Sequence, residues 1–124
     1  MFSIVKMNNK KILSICIPTY NRQHELNELL SNLLPQVGKF SELIEICISN
    51  NGSIDETDRL VNDYMKKYPN LIRYRKNMKN MGVDSNFLSV IKMAEAKFVW
   101  LMGDDDNISK NAIKIMITFF KNNN

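Results

Sequence analysis

Three adjacent carboxylates, Asp104, Asp105 and Asp106, follow the apolar run 98–102, "FVWLM", after a single glycine, Gly103. Like charges side by side repel, and the end of a buried strand desolvates them as well. The triplet therefore needs either a bound cation or an inexpensive place at the surface. Mg²⁺ and Mn²⁺ suit the first option, because these hard cations take carboxylate oxygens and substrate phosphates with few protein ligands. The second option is an exposed turn whose charges lie near the positive N-terminal end of the next helix. Two further clusters, "PTYNR" at 18–22 and "NNGSID" at 50–55, carry amides, a guanidinium and an aromatic ring. The amide of Asn50 or Asn51 can donate to and accept from the edge of a base, and Tyr20 offers a stacking face. Each cluster also has a plain structural use. Gly52 can supply an unusual backbone angle, Asn21 can cap a helix, and Ser53 with Glu56 matches a capping box.

These groups act together only if the fold brings them together. Residues 12–18, "ILSICIP", are β-branched and apolar and end in Pro18, which predicts a buried strand. Leu26, Leu29, Leu30, Leu33 and Leu34 recur at helical spacing, and Pro35 is the expected stop. "LIEICIS" (43–49) predicts a second strand. Leu60, Val61, Tyr64, Met65 and Tyr68 stripe a second helix before Pro69. "LIRYR" (71–75) predicts a short third strand, Phe87, Leu88, Ile91 and Ala94 a third helix, "KFVWLM" (97–102) a fourth strand, and "NAIKIMITFF" a last helix. Strand and helix thus alternate four times. That order predicts an α/β fold, a Rossmann-like parallel sheet with helices on both faces, joined by right-handed crossovers. Ligands of such sheets bind beyond the carboxyl ends of the strands. All three clusters fall at such ends, and Asn80 and Gly82 follow the third strand. His24, at the start of the leucine helix, is expected in solvent, and Trp100 in the core.

The totals bound the rest. The chain has 124 residues, 44% hydrophobic and 24% charged, with 17 Lys and Arg against 13 Asp and Glu for a net charge of +4. That is the composition of one ordinary globular domain. No basic run with interleaved aromatics occurs, so no nucleic-acid partner is expected. Cys16 and Cys47 sit inside apolar runs without CxxC spacing, which reads as two small core residues in a reducing compartment. The start lacks the apolar stretch of a signal peptide, and no apolar run approaches the roughly 20 residues that span a bilayer. A cytoplasmic location is expected. The division is an N-terminal extension over 1–11, one domain over 12–121 and a tail over 122–124.

"LSICIPTYNR", "CISNNGSIDET", "KNMKNMGVDSNF" and "AKFVWLMGDDD", taken in order, resemble the successive motifs of the family 2 glycosyltransferases, whose fold is GT-A. The likeness runs from about residue 12 to residue 108. The "GDDD" form resembles a subgroup that includes abequosyltransferase-like enzymes of bacterial surface polysaccharides. The resemblance implies inverting transfer from a nucleotide-diphospho-sugar donor to a saccharide or lipid-linked saccharide acceptor, at the inner face of the membrane. It also implies a divalent cation, Mn²⁺ or Mg²⁺, held by Asp104, Asp105 and Asp106. The implied nucleotide-sugar-binding set is Pro18, Thr19, Tyr20, Asn21, Arg22, Asn50, Asn51, Ser53, Asp55, Asn80, Gly82, Asp104 and Asp105. Two departures from the family pattern stand out: Asn50 and Asn51 replace its acidic pair, and Gly103 stands where many relatives carry an acid. The family's catalytic base lies in the half that follows the aspartate motif, and no Asp or Glu follows Asp106 here. No catalytic residue is therefore assigned, and these 124 residues alone are expected to bind donor without transferring sugar. An inactive nucleotide-binding remnant is the alternative. Peripheral membrane association and self-association through an uncovered sheet edge are further expectations.

Overall fold

The computed structural model describes residues 11–123, so most of the expected N-terminal extension and Asn124 of the expected tail lie outside the described residues. Eight elements alternate: β1 (Leu13–Thr19), α1 (Gln23–Gly38), β2 (Ile44–Asn50), α2 (Thr57–Lys67), β3 (Ile72–Lys76), α3 (Val83–Met93), β4 (Phe98–Leu101) and α4 (Ala112–Asn122). The strands form one parallel sheet in the order β3-β2-β1-β4. The chain moves outward from β1 to β3, then crosses back over α3 to place β4 on the other side of β1. Strand order therefore reverses between β1 and β4. In a parallel α/β sheet the crevice at that reversal is where ligands bind.

Strand periodicity explains the layers. Odd positions of β1 and even positions of β2 point to one side, where Leu13, Ile15, Ile17, Ile44, Ile46 and Ile48 are fully buried. Leu26, Leu29, Leu30, Leu33, Leu34 and Val37 of α1 close over them, joined by Val61 of α2 and Ile113 and Ile117 of α4. Each such aliphatic side chain stabilises the fold by about 1.5–3 kcal/mol when buried. The opposite side carries Ser14, Cys16, Glu45, Cys47 and Ser49, and α3 packs there, through Val90 with Met93 and Ala94 beside it.

Three details differ from the sequence expectations. Pro18 does not end β1 but lies inside it, paired in register with Ser49. Its missing N–H costs nothing there. Cys16, two residues earlier, turns its backbone toward β4, where its carbonyl accepts from the Met102 N–H. Pro18 faces the same way, past the last β1–β4 pair, Cys16 with Leu101. Pro35 does not stop α1, which runs on to Gly38. The penalty of an internal proline, roughly 3 kcal/mol, is opposed by burial of Leu33, Leu34 and Val37 around it. In α3 the buried residues are Asn86 and Val90, whereas Phe87, Leu88 and Ile91 are exposed. Helical spacing was correct and the face was not: only Ala94 of the expected stripe joins the core. Cys16 and Cys47 are buried, free and in register on neighbouring strands. The Cys47 thiol is pushed up, first by its hydrogen bond with Cys16 and then by burial, so it stays a thiol.

Candidate functional site

Asn21 adopts the left-handed conformation (φ +51°) and swings the chain from β1 into α1. Asparagine tolerates this region better than most residues. Its side-chain Oδ1 accepts from the Ile54 N–H (2.8 Å), while the Asn21 backbone N–H donates to the Ser53 hydroxyl oxygen (2.9 Å). Neither side chain caps a helix as the sequence suggested; both lace the first loop to the second. The capping falls to Asp55. One of its oxygens takes the Thr57 N–H (3.0 Å) and hydroxyl (2.6 Å) at the start of α2. The other takes the Gln23 N–H (3.2 Å) at the start of α1. Partial burial raises this carboxyl, but the hydrogen bonds from Thr57 and Gln23 outweigh it, and the net shift is downward.

Gly52 joins the second loop to the third. Its φ is +77°, and a Cβ there would lie 2.4 Å from the Lys79 carbonyl carbon, so only glycine fits. Beside it Asn51 spends its whole amide on the third loop. Nδ2 donates to the Asn80 side chain (2.8 Å) and the Gly82 carbonyl (3.2 Å), and Oδ1 accepts from Asn77 Nδ2 (2.9 Å) and the Met81 N–H (2.9 Å). Asn50 is fully buried. Its amide donates to the Tyr74 hydroxyl (2.9 Å) and accepts from the Ser53 N–H (3.0 Å), and Tyr74 in turn donates to Asp58 (2.7 Å).

The aspartate triplet divides into three different roles. Asp104 is buried, and its Oδ2 accepts from the Thr19 hydroxyl across the β1–β4 crevice (2.9 Å). Asp105 is exposed and meets Arg22 Nη1 at 3.1 Å; the same nitrogen lies 3.8 Å from Asp104 Oδ1. Asp106 turns back and accepts from the Gly103 N–H (2.8 Å), closing the turn after β4. Burial pushes the Asp104 carboxyl above its ordinary value, helped by the charges of Asp105 and Glu25 and opposed by Thr19 and Arg22. Arg22 and Thr19 thus offset the repulsion that the sequence left unexplained.

These residues surround a cleft of about 500 Å³ at the carboxyl ends of β1 and β4. Of the residues that the resemblance implied, Pro18, Thr19, Tyr20, Arg22, Asn51, Asp104 and Asp105 line it. Asn21, Ser53, Asp55, Asn80 and Gly82 stand behind it as loop lacing, Asn50 is sealed beneath it, and Asp106 faces its own backbone. Sequence reasoning missed the other wall, formed by Val83, Asn86, Phe87, Leu101 and Met102. The spacing of Val83 and Phe87, one helical turn apart, could have placed them on one face. A smaller groove of about 260 Å³ between α1 and α2 carries the exposed His24.

The donor chemistry of the cleft fits a hard divalent ion. Asp104 Oδ1 and Asp105 Oδ2 lie 3.8 and 3.1 Å from one Arg22 nitrogen, and carboxylate oxygens of this kind, with phosphate and water, are the ligands that Mg²⁺ and Mn²⁺ take. Asp106 does not join them, and no group of three or more His, Cys, Asp or Glu side chains that could hold a metal occurs among the described residues. No helix among those residues is long and apolar enough to cross a membrane.

The model of the family described as glycosyl transferase family 2 matches residues 14–124. Abequosyltransferase RfbV of Salmonella typhimurium is 41% identical over 108 residues, which are 87% of this chain and 32% of that protein. Staphylococcus aureus TarS 1–349, solved in complex with UDP-GlcNAc, superposes with a TM-score of 0.73 at 26% identity, covering 90% of this chain and 31% of that 1–349 chain. A mannosyltransferase of Pyrobaculum calidifontis, PcManGT, solved with GDP-Man and Mn²⁺, gives a TM-score of 0.73 over 86% of this chain and 31% of its own; its 17% identity speaks for the fold alone. The chain spans about a third of the length of these proteins.

Proposed function

The chain belongs to glycosyl transferase family 2, and from that membership we propose that it is the donor-binding portion of an inverting sugar transferase of bacterial-type surface polysaccharide synthesis. The observation that carries this reading is the convergence of Thr19, Arg22, Asp104 and Asp105 on one cleft where strand order reverses. The nucleotide-diphospho-sugar lies in that cleft, with its diphosphate toward Arg22 and the two aspartates and its base toward Tyr20. Thr19 fixes the rotamer of Asp104 by its hydrogen bond, so the carboxylate is already oriented when donor arrives. Asp104 and Asp105 would hold Mn²⁺ or Mg²⁺. That ion, when bound, stabilises the negative charge that grows on the leaving diphosphate.

A saccharide or lipid-linked saccharide accepts the sugar at the cytoplasmic face of the membrane. The net charge of +4 supports attraction to an anionic surface. Self-association is supported by the exposed Phe87, Leu88 and Ile91 of α3 beside Val99 and Leu101 of the edge strand β4. A second reading, a nucleotide-binding unit without chemistry, is favoured by one observation. Inverting transfer needs a base within reach of the acceptor hydroxyl, and among the described residues the carboxylates that line the cleft, Asp104 and Asp105, are the ones that would hold the metal.

Titration calorimetry with UDP, GDP, CDP and dTDP, in Mn²⁺ and in chelator, tests the donor site. Binding of at least one nucleotide in Mn²⁺ and its loss in chelator are expected. Equal binding in chelator, or none to any of the four, would remove the metal-assisted reading. Asp105→Ala should abolish the metal dependence and leave circular dichroism unchanged, because the residue lies beyond the end of β4. Mass spectrometry after incubation with nucleotide sugars and lipid-linked acceptors separates the two readings: binding without product favours the second.

A further inference from the structure

We propose that Arg22 is an exchangeable counter-ion, which neutralises the Asp104–Asp105 pair until a divalent cation takes those oxygens and then passes to the donor diphosphate. The inference rests on the reading of the cleft as a nucleotide-diphosphate site. One guanidinium nitrogen, Nη1, serves both carboxylates, at 3.1 Å from Asp105 and 3.8 Å from Asp104. A stable structural pair of this kind more often uses the bidentate fork, two nitrogens on two oxygens of one carboxylate. Here a single donor stands between two acids, the arrangement of a point cation. The oxygens it faces are the ones left over. Asp104 Oδ2 belongs to Thr19, and Asp106 has turned to the Gly103 N–H. A metal using this pair must therefore displace Arg22.

The side chain is built to be displaced. Its backbone is fixed between the left-handed Asn21 and the first turn of α1, while the side chain is half exposed and can swing. The other charge near Asp104 on this element, Glu25, is acidic and cannot replace it. Once freed, the guanidinium stands at the mouth of the cleft, within a side chain's reach of where the diphosphate lies. Metal and nucleotide then help each other: the metal releases Arg22 for the phosphates, and the phosphates hold Arg22 away from the metal. By linkage the effect is reciprocal.

The variant Arg22→Gln should therefore change the two affinities in opposite directions. Free Mn²⁺ measured by electron paramagnetic resonance, without nucleotide, should show roughly threefold tighter binding to Arg22→Gln than to wild type, since a charge pair at a half-exposed site is worth a few-fold in affinity. Affinity for the four nucleoside diphosphates in saturating Mn²⁺ should fall roughly tenfold. Arg22→Lys keeps the charge and should stay near wild type in the Mn²⁺ measurement, and circular dichroism checks that each variant is folded. Unchanged or weaker Mn²⁺ binding by folded Arg22→Gln overturns the exchange while the donor-site reading stands. Failure of the wild type to bind Mn²⁺ or any nucleotide overturns that reading, and the exchange with it.

Discussion

On the face of the sheet covered by α1, α2 and α4, the strands present Leu13, Ile15, Ile17, Ile44, Ile46 and Ile48, none of which reaches solvent. On the face covered by α3, the alternate positions are Ser14, Cys16, Glu45, Cys47 and Ser49. The first face is held by bulk. Interlocked aliphatic side chains exclude water without directional bonds, and their stabilisation scales with area. The second face is held by addressed hydrogen bonds. Ser49 and Asn86 exchange two, hydroxyl to amide oxygen at 2.7 Å and amide to carbonyl at 3.1 Å. Glu45, buried, accepts from the Ser14 hydroxyl (2.6 Å), the Glu95 N–H (2.7 Å) and Arg73 (3.2 Å). Arg73 also donates to the Met93 carbonyl at the end of α3. Bulk suits the face that must only be stable. Small polar groups suit the face over which α3 has to arrive in one register, because the first turns of that helix form a wall of the cleft.

Truncations on the two faces should therefore differ in cost. Leu30→Ala, in the centre of the aliphatic face, is expected to lose about 2–5 kcal/mol, read from urea denaturation. Glu45→Ala should cost less, about 2–3 kcal/mol, since the Ser14 hydroxyl and the Glu95 N–H lose a buried acceptor. Little of that sum belongs to Arg73, whose side chain is 42% exposed and screened by water. Val90→Ala removes two methyl groups beneath α3 and should lose about 1.5 kcal/mol. If Val90→Ala proves as damaging as Leu30→Ala, the two faces are equal partners in one core and the contrast fails.

Smaller effects sharpen the link between the second face and the cleft. Asn51→Asp removes both amide donors and sets a carboxylate against the Asn80 oxygen and the Gly82 carbonyl. About 1 kcal/mol of local stability should be lost, seen as faster hydrogen exchange at 77–83 with α1 unchanged. If the variant instead shifts the preferred base and leaves exchange alone, Asn51 reads the nucleotide rather than holding the loop. The smallest effect is on pH dependence. Asp55 has a folded pKa below its ordinary value, so its contribution is complete above that value and is lost as pH falls through the folded one. Wild type should exceed Asp55→Asn in melting temperature at neutral pH, and the gap should close from about pH 4 downward. A gap that persists in strong acid would mean that the capping bonds do not depend on charge.

Much of the site was legible because its residues sit at the ends of apolar runs. "LSICIPTYNR" and "FVWLMGDDD" announce a strand and then a polar terminus, and the α/β order places those termini on one edge whatever the details. The roles within each cluster were less legible. Ser53, Asn21 and Asp55 are all competent caps, and only their positions in space give the capping to Asp55 and the lacing to the other two. Asn51 looked equally suited to a base or to a neighbouring loop. Four hydrogen bonds to residues 77–82 occupy it, and no local pattern encodes partners that far along the chain. The face of α3 was misread for a related reason. Its apolar positions repeat at helical spacing, but which repeat is buried depends on how much of the sheet one helix can cover.

The sequence by itself determined the elements, their parallel order and the edge on which chemistry is gathered, because hydrophobic periodicity and strand–helix alternation are properties of neighbours along the chain. Tertiary structure alone decided that Asp104 would be buried against Thr19, that Asp105 would face Arg22 and that Asp106 would turn away. Three identical side chains in a row carry no local signal to tell them apart. Asp104 and Asp105 are set apart by a hydroxyl and a guanidinium more than eighty residues earlier that arrive across the β1–β4 crevice, and Asp106, with neither of these partners, closes its own turn on the Gly103 N–H.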